Sequence, residues 1–425
     1  MKFLLIDPPF QKFMDFSKRM VPLGLLSLAA TLKREGHEVT VFDADYHPTG
    51  KSFEFHEKMQ HYDAYLNGLQ DLQHPLWEAS RRVIRTERPD VVGISIISTK
   101  LPSAERVADV ARQEGVGIIA AGGPHASIKP EEVWNRGHFD YVFTGEAEDA
   151  IPKILDLPKG IIVGERIKNL DALPWPDRRT LKGLEDYDPK DLGMVMTTRG
   201  CPNDCNFCNS GMLWGRKVRS RSIDNVLGEV KHLKSDLGVT DFYLVDDTFT
   251  YKSERVAEFC EGVTDQGITW SCLARANTIT SELARRMKLS GCTSVKLGVE
   301  SGSEYVLGLM NKNQKKVDVL NASEAFRQAG LPWVAYIMVG VPGEKPEHVD
   351  ETIQFIREAR PDFVSVSNFT PYPGTKFYDQ IGANGEYHLH NHHRAESHGE
   401  VTREKVLEVA RFVDQYNKES NARKK

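Results

Sequence analysis

Met194-Val195-Met196-Thr197-Thr198-Arg199-Gly200-Cys201-Pro202-Asn203-Asp204-Cys205-Asn206-Phe207-Cys208 is the stretch on which the reading of this chain turns. A short apolar run of strand character passes through a glycine into three cysteines crowded within eight positions. Six cysteines in 425 residues are too few for a disulfide scaffold, so in a reducing compartment this crowding points to metal or redox chemistry. Thiolates are soft ligands that select zinc or iron–sulfur. A structural zinc site is normally closed by four ligands, often from two separated pairs, and no second pair follows here. Cys260, Cys272 and Cys292 stand singly in or beside apolar runs and read as buried, inert thiols. Three thiolates on a four-iron cube leave one iron open, which is what a reactive cluster requires.

Downstream, strand-like runs recur at residues 194–197, 242–245, 270–273, 294–299, 334–339 and 363–366, separated by amphipathic stretches such as 223–233 and 317–328. Six strand–helix units imply a partial (β/α)6 barrel over residues 193–375, with its site at the C-terminal ends of the strands. Upstream, runs at 3–6, 38–42, 91–97, 118–121 and 141–144 alternate with helical patterns. Residues 1–155 therefore read as a doubly wound, Rossmann-like parallel sheet, and the whole chain as α/β. Its strand-end loops are rich in Gly, Pro and small hydroxyls, which lets backbone approach a large flat ligand. A polar insertion between Asp45 and Pro75 carries four histidines, and either caps that edge or makes a surface excursion. Residues 156–192, with Pro158, Pro174, Pro176 and Pro189, read as an interdomain linker. Residues 376–425 form a small α-rich segment, a His-rich stretch and then a helix.

The composition excludes several classes. Fifty-five Lys and Arg against 60 Asp and Glu give a net charge of −5, so no strongly basic nucleic-acid binder is indicated. Arg216, Lys217, Arg219 and Arg221 make one short basic run, which by default is a solvated face. No apolar run approaches the ~20 residues needed to span a bilayer, and the apolar start is too short for a signal peptide, so the chain is expected in the cytoplasm.

With three and two residues between its cysteines and an aromatic before the third, the motif Cys201, Cys205, Phe207, Cys208 resembles that of the radical S-adenosylmethionine (SAM) superfamily. The resemblance implies a [4Fe–4S] cluster on the three cysteines and a SAM site around it that includes Phe207. Asp246 and Asp247 end the second strand, where the family more often has Gly-Gly-Glu; either carboxylate could accept from the SAM ammonium. Arg275 would meet the SAM carboxylate, Glu300 and Ser301 the ribose and methionyl groups, and the Gly340–Pro342 backbone the adenine. Tyr372, at the end of the sixth strand, could reach substrate or simply stabilise a Pro-Gly turn.

The first domain resembles the cobalamin-binding domain of cobalamin-dependent radical SAM proteins, through Leu5-Ile6-Asp7-Pro8-Pro9, Pro22-Leu23-Gly24-Leu25, Gly122-Gly123-Pro124-His125-Ala126-Ser127, Phe143-Thr144-Gly145-Glu146-Ala147-Glu148 and Leu173-Pro174-Trp175-Pro176. It implies a cobalamin site at Pro8, Pro9, Ser95, Thr99, Gly122, Gly123, Pro124, His125, Gly145 and Glu146. Asp45-Tyr46-His47-Pro48-Thr49-Gly50 spells the Asp-x-His-x-x-Gly pattern by which other cobalamin proteins ligate cobalt, but it follows the second strand rather than the first. The pattern reads as coincidence, and the cobalt as lacking a protein histidine. Five of the fourteen histidines fall within residues 388–398 and read as a solvated tail or a substrate-facing lid.

The resemblance implies a methyltransferase acting on an unactivated carbon of a small molecule or peptide, with a flavodoxin or ferredoxin as electron donor. The rivals are a non-methylating radical enzyme of the same architecture (cyclase, ring rearrangement or oxidation) and a cofactor-binding sensor. A methylthiotransferase is disfavoured because the first domain has no second cysteine cluster.

Overall fold

The computed structural model describes residues 1–51, 55–382 and 397–423. Two compact units emerge, the first built mainly from Met1–Phe53 and His61–Leu192, the second from Gly193–Gly211 and Gly215–Lys425.

The first unit is a six-stranded parallel sheet. Its strands are β1 (Lys2–Asp7), β2 (Glu38–Asp43), β3 (Val91–Ser95), β4 (Ile118–Gly122), β5 (Tyr141–Thr144) and β6 (Gly160–Val163), in spatial order β2-β1-β3-β4-β5-β6. The reversal at β1 is that of a doubly wound sheet, whose ligand crevice lies beyond the C-terminal strand ends. Phe3, Leu4, Leu5 and Ile6 are buried in succession, because helices cover both faces of a parallel strand. The expected five strands are present, and β6 is an addition. It falls in the segment read as a linker, which is folded as part of this unit. Four residues long and ending in the exposed Val163, β6 carries too weak an apolar signal to be read from sequence. Beyond it, Lys182 donates its amide to the Val41 carbonyl at 2.8 Å and Asp177 to Leu26 at 3.1 Å, and Leu170, Leu181 and Leu192 are buried. Prolines remove backbone donors here without preventing burial of the side chains between them.

The second unit contains β7 (Met194–Val195), the two-residue pair β8 (Thr198–Arg199) and β9 (Arg219–Ser220), then β10 (Asp241–Leu244), β11 (Thr269–Ala274), β12 (Cys292–Glu300), β13 (Trp333–Val339) and β14 (Phe363–Asn368). The strands β7 and β10–β14 form one parallel sheet in chain order, as expected for a partial barrel. Burial alternates along the strands. Trp270, Cys272, Val295, Leu297, Trp333, Ala335 and Ile337 are buried. Trp270 meets Phe249 and Phe259 edge-on at 5.8 and 5.3 Å, the latter on the helix Ser253–Val263, so this is the helix-covered face. The alternating residues Tyr243, Ser271, Lys296, Val334 and Tyr336 take the opposite, inner face and are partly accessible.

The open edge at β14 is closed by the C-terminal helix Arg403–Arg423. Asn417 receives the Val364 amide at 2.8 Å and donates to the Val364 carbonyl at 2.9 Å, which imitates a neighbouring strand. Residues 388–396 of the His-rich stretch lie outside the described residues. We expect Asn417→Leu to cost about 1–3 kcal/mol by stranding both Val364 groups, measured as a lower urea midpoint, with Asn417→Gln closer to wild type.

Candidate active site

The chain leaves β7 under the control of one carboxylate. Asp246 is buried and accepts from the Thr197 amide at 2.6 Å, the Thr197 hydroxyl at 2.5 Å and the Thr198 amide at 3.0 Å. Burial raises its pKa while these donors oppose the shift. Asp246 thus holds the strand exit, while its exposed neighbour Asp247 accepts from the Ser210 hydroxyl.

The cysteine loop follows. Gly200 has φ +108, and a Cβ there would stand 2.7 Å from the Lys217 carbonyl, so the turn requires glycine. The loop is then pinned on several sides. The Asn206 amide donates to Met310 O at 2.9 Å and its side chain to Leu309 O at 2.7 Å, while Phe377 donates its amide back to Asn206 O at 3.1 Å. Asn311 donates to Asp204 O at 2.7 Å, and Lys376 and Arg216 pair with the Asp204 carboxylate. Phe207 packs against the buried cluster Val306, Met310, Val341, Phe369 and Phe377.

Each cysteine sulfur faces its own N–H donor: Asn203 Nδ2 to Cys201 at 3.4 Å, Arg275 Nη1 to Cys205 at 3.6 Å, and the Ser210 amide to Cys208 at 3.5 Å. Donors of this kind stabilise anionic sulfur and tune an iron–sulfur group. Cys201 and Cys205 are buried and Cys208 is exposed. Even at that exposed position, desolvation by the surrounding protein, with Asp247 and the other two cysteines, pushes the Cys208 thiol up to about 11. Metal loading must therefore displace protons. Among the described residues no set of three His, Cys, Asp or Glu converges on a single ion.

Around the loop stand the other strand ends. Arg275 is buried, donates to the Lys312 and Asn313 carbonyls, and keeps a buried Nε without a partner among the described residues. Glu300 sits at a register shift between β12 and β13 with φ +65 and pairs with buried Lys312 at 2.7 Å. A non-glycine residue held in this region stores strain of the kind found at functional sites. Ser301 is buried and bonds Thr352 at 3.1 Å and the Ser303 amide at 3.1 Å, which ties the strand end to the adjoining helix. Gly340, at φ +82, opens a turn with Pro342 that Glu344 holds, accepting the Gly340 amide at 2.5 Å and the Val341 amide at 3.3 Å. Tyr372 is half-buried, and its carbonyl accepts from the Thr375 amide at 3.3 Å and hydroxyl at 2.7 Å, the turn role weighed above. Sequence reading missed Lys312 and Gln314. Gln314 links two strand ends, accepting the Ala276 amide at 3.3 Å and donating to Gly298 O at 3.1 Å. The polar run 311–316 was the available signal.

In the first unit, Ser95, Gly122, Gly123, Pro124 and Gly145 line the C-terminal strand edge and stay accessible. Gly123, at φ +95, lies where a Cβ would press on Ile96 and Ser95. Ser127 ties this loop to the next, donating to Gly123 O and accepting the Gly145 amide, both at 2.9 Å. Pro8, Pro9 and Thr99 are buried. His125 is fully buried with Nδ1 3.1 Å from Ser98 Oγ, and Glu146, also buried, accepts the Ile167 amide at 3.2 Å. His47 pairs with Asp15 at 2.9 Å through Nε2 and exchanges backbone hydrogen bonds with Lys18. Asp45 accepts the Phe10 and Lys12 amides at 2.7 and 3.0 Å. In the basic run, Arg221 is buried on Glu229 at 2.6 Å and Arg216 pairs with Asp204, leaving no continuous basic face.

Residues 195–356 match the radical SAM superfamily and residues 15–155 match the B12 binding domain. The chain belongs to the cobalamin-binding class of the radical SAM enzymes, with a [4Fe–4S] cluster, SAM and cobalamin as its cofactors. An uncharacterised methyltransferase of Pyrococcus horikoshii is 29% identical over 416 residues, which cover 90% of this chain and 84% of that protein. The anaerobic magnesium-protoporphyrin IX monomethyl ester cyclase of Rubrivivax gelatinosus is 25% identical over 352 residues, 75% of this chain and 62% of its own length. Among solved structures, the radical SAM methyltransferase TsrM of Kitasatospora setae superposes with a TM-score of 0.69 at 16% identity, over 89% of this chain and 75% of that one. No described helix is long and apolar enough to cross a membrane.

Glu344 gives a pH prediction. Fully buried, it is pushed up to about 7 from 4.5 by burial, against the opposing pull of the Gly340 and Val341 amides. Between those values the native chain holds a proton that the unfolded chain has released, so stability falls as pH rises through that window, by on the order of 3 kcal/mol. Glu344→Gln should flatten the fall: melting temperatures near wild type at pH 5 and higher than wild type at pH 8.

Proposed function

We propose that this protein is a cobalamin-dependent radical methyltransferase that methylates an unactivated carbon of a small molecule or peptide. The observation that carries the reading is the pinned loop of Cys201, Cys205 and Cys208, each sulfur facing a separate N–H donor, at the strand ends of a chain that also holds a B12 binding domain. When bound, the reduced cluster and SAM supply a 5′-deoxyadenosyl radical and methylcobalamin supplies the methyl group. The chain's own residues hold and orient. The three cysteines would ligate the cluster, with Asn203, Arg275 and the Ser210 amide stabilising their charge. Asp247 would accept from the SAM ammonium, Arg275 Nε would donate to its carboxylate, and the Gly340–Pro342 backbone would receive adenine beside Phe207. Ser95, Gly122, Gly123, Pro124 and Gly145 offer the corrin and its tail an edge with little side-chain bulk. We place the protein in the cytoplasm with a flavodoxin or ferredoxin as reductant.

The likeness to a cyclase keeps one rival, a radical enzyme that does not methylate. Protein purified without oxygen from cells given hydroxocobalamin should carry about four irons and about one corrinoid per chain. Turnover should yield S-adenosylhomocysteine and deoxyadenosine together. Deoxyadenosine alone, with corrinoid bound and substrate consumed, would transfer the assignment to the rival. Cys201→Ala, Cys205→Ala and Cys208→Ala should each lose the cluster and all SAM cleavage, and cleavage retained by an iron-free variant would defeat the assignment.

A further inference from the structure

The inner face of the second sheet carries a cation that none of the site contacts described above engages. Lys296, on β12, lies across the sheet with Nζ 3.3 Å from Ser271 Oγ on β11 and 3.7 Å from the centre of the Tyr243 ring on β10. Among the described residues it has no carboxylate at ion-pair distance. Asp241 acts on it only through space and is itself engaged by the Thr269 hydroxyl at 2.7 Å. Cys272 and Cys292, the other titratable groups acting on it, are buried thiols whose pKa is raised by burial. Tyr336, on β13, shares the face, with Ser294, Val334 and Ser365 around it.

This arrangement is unusual for a barrel interior. A half-buried ammonium costs free energy to desolvate unless it is paired, and one hydroxyl and one ring face are weak compensation. Desolvation lowers the Lys296 pKa for that reason. An anion brought to Nζ would recover the missing pairing, and the phenol rings and serine hydroxyls of the same face suit a planar group with further polar atoms.

We propose that Lys296, flanked by Tyr243, Ser271 and Tyr336, is the anchor for an anionic group of the substrate, a carboxylate or a phosphate carried on an aromatic or otherwise planar body. This rests on the methyltransferase reading for the word substrate, but the expected preference of Lys296 for anions does not.

The test uses the loaded holoenzyme, made without oxygen, and benzoate and phenyl phosphate as probes, with benzyl alcohol and benzylamine as neutral and cationic controls. Saturation-transfer NMR should detect both or one of the anions and neither control, and whichever anion binds more tightly identifies the group. Lys296→Met should weaken that binding about tenfold or more, while Lys296→Arg should stay within about threefold. Both variants should retain wild-type iron and corrinoid content and uncoupled SAM cleavage. A measurement without a variant guards against misfolding: the bound anion should protect the wild-type Lys296 amine from trinitrobenzenesulfonate, mapped by mass spectrometry. The proposal is overturned if neither anion binds at about 10 mM, if the controls bind as well, or if Lys296→Met binds like wild type. Loss of cofactors or of SAM cleavage in the wild-type protein would instead fault the enzyme assignment, so the two failures are separable.

Discussion

Everything at the cluster end of the second domain depends on the carboxylate of Asp246. It is buried, where an ionised group is costly, and it is accommodated because three donors from Thr197 and Thr198 converge on it. Those donors belong to the two residues that carry the chain from the first barrel strand into the cysteine loop. The same bond network therefore fixes where the loop departs, how Gly200 turns, and how Asp247, one residue further along, stands beside Ser210. Arg221 and Arg255 extend the frame. Arg221 donates its amide to Thr197 O at 3.0 Å, and Arg255 reaches Arg221 O at 2.6 Å. The position that sequence order offers as a ligand contact is thus the fixed point of the strand exit.

The fold was legible because its signals are long and repeated. Twelve parallel strands give eleven expected runs, and the one that escaped, Gly160–Val163, is short, partly exposed and surrounded by prolines. The three cysteines were legible because cluster ligation needs a fixed local spacing, and that spacing survives in one dimension. The remainder of the site was less so, since its residues meet only after folding. Whether a strand-end polar side chain bonds a neighbouring backbone or side-chain group depends on its direction, and Asp246, Ser301 and Glu146 all do so in the interior. His125 did the same, held by Ser98 in the domain interior. Lys312 and Gln314 could not be found by spacing, because their partners Glu300, Gly298 and Ala276 lie on other elements.

The distribution of polar groups in the second domain has a division of labour. Near the loop, charged side chains are neutralised within the protein, as in Glu300 with Lys312 and Asp204 with Lys376. These pairings hold the loop in place, while Arg275 keeps its buried Nε without a partner among the described residues. Deeper on the inner face, satisfaction is incomplete at Lys296, where rigidity would have been easier to obtain with a methionine or leucine. Such an imbalance is expected where an incoming molecule completes the network.

The side-chain amide of Asn417 that finishes the last barrel strand also sets an order of events during synthesis. Val364 and Asn417 are 53 positions apart in the chain. At ribosomal speeds that interval is about 3–10 s, during which β14 has left the ribosome but its covering helix has not. For that time the nascent sheet displays a strand with unpaired amides and carbonyls, open to pairing with another chain. Slow translation through this interval, or a stop codon within it, would favour aggregation well before any cofactor was needed.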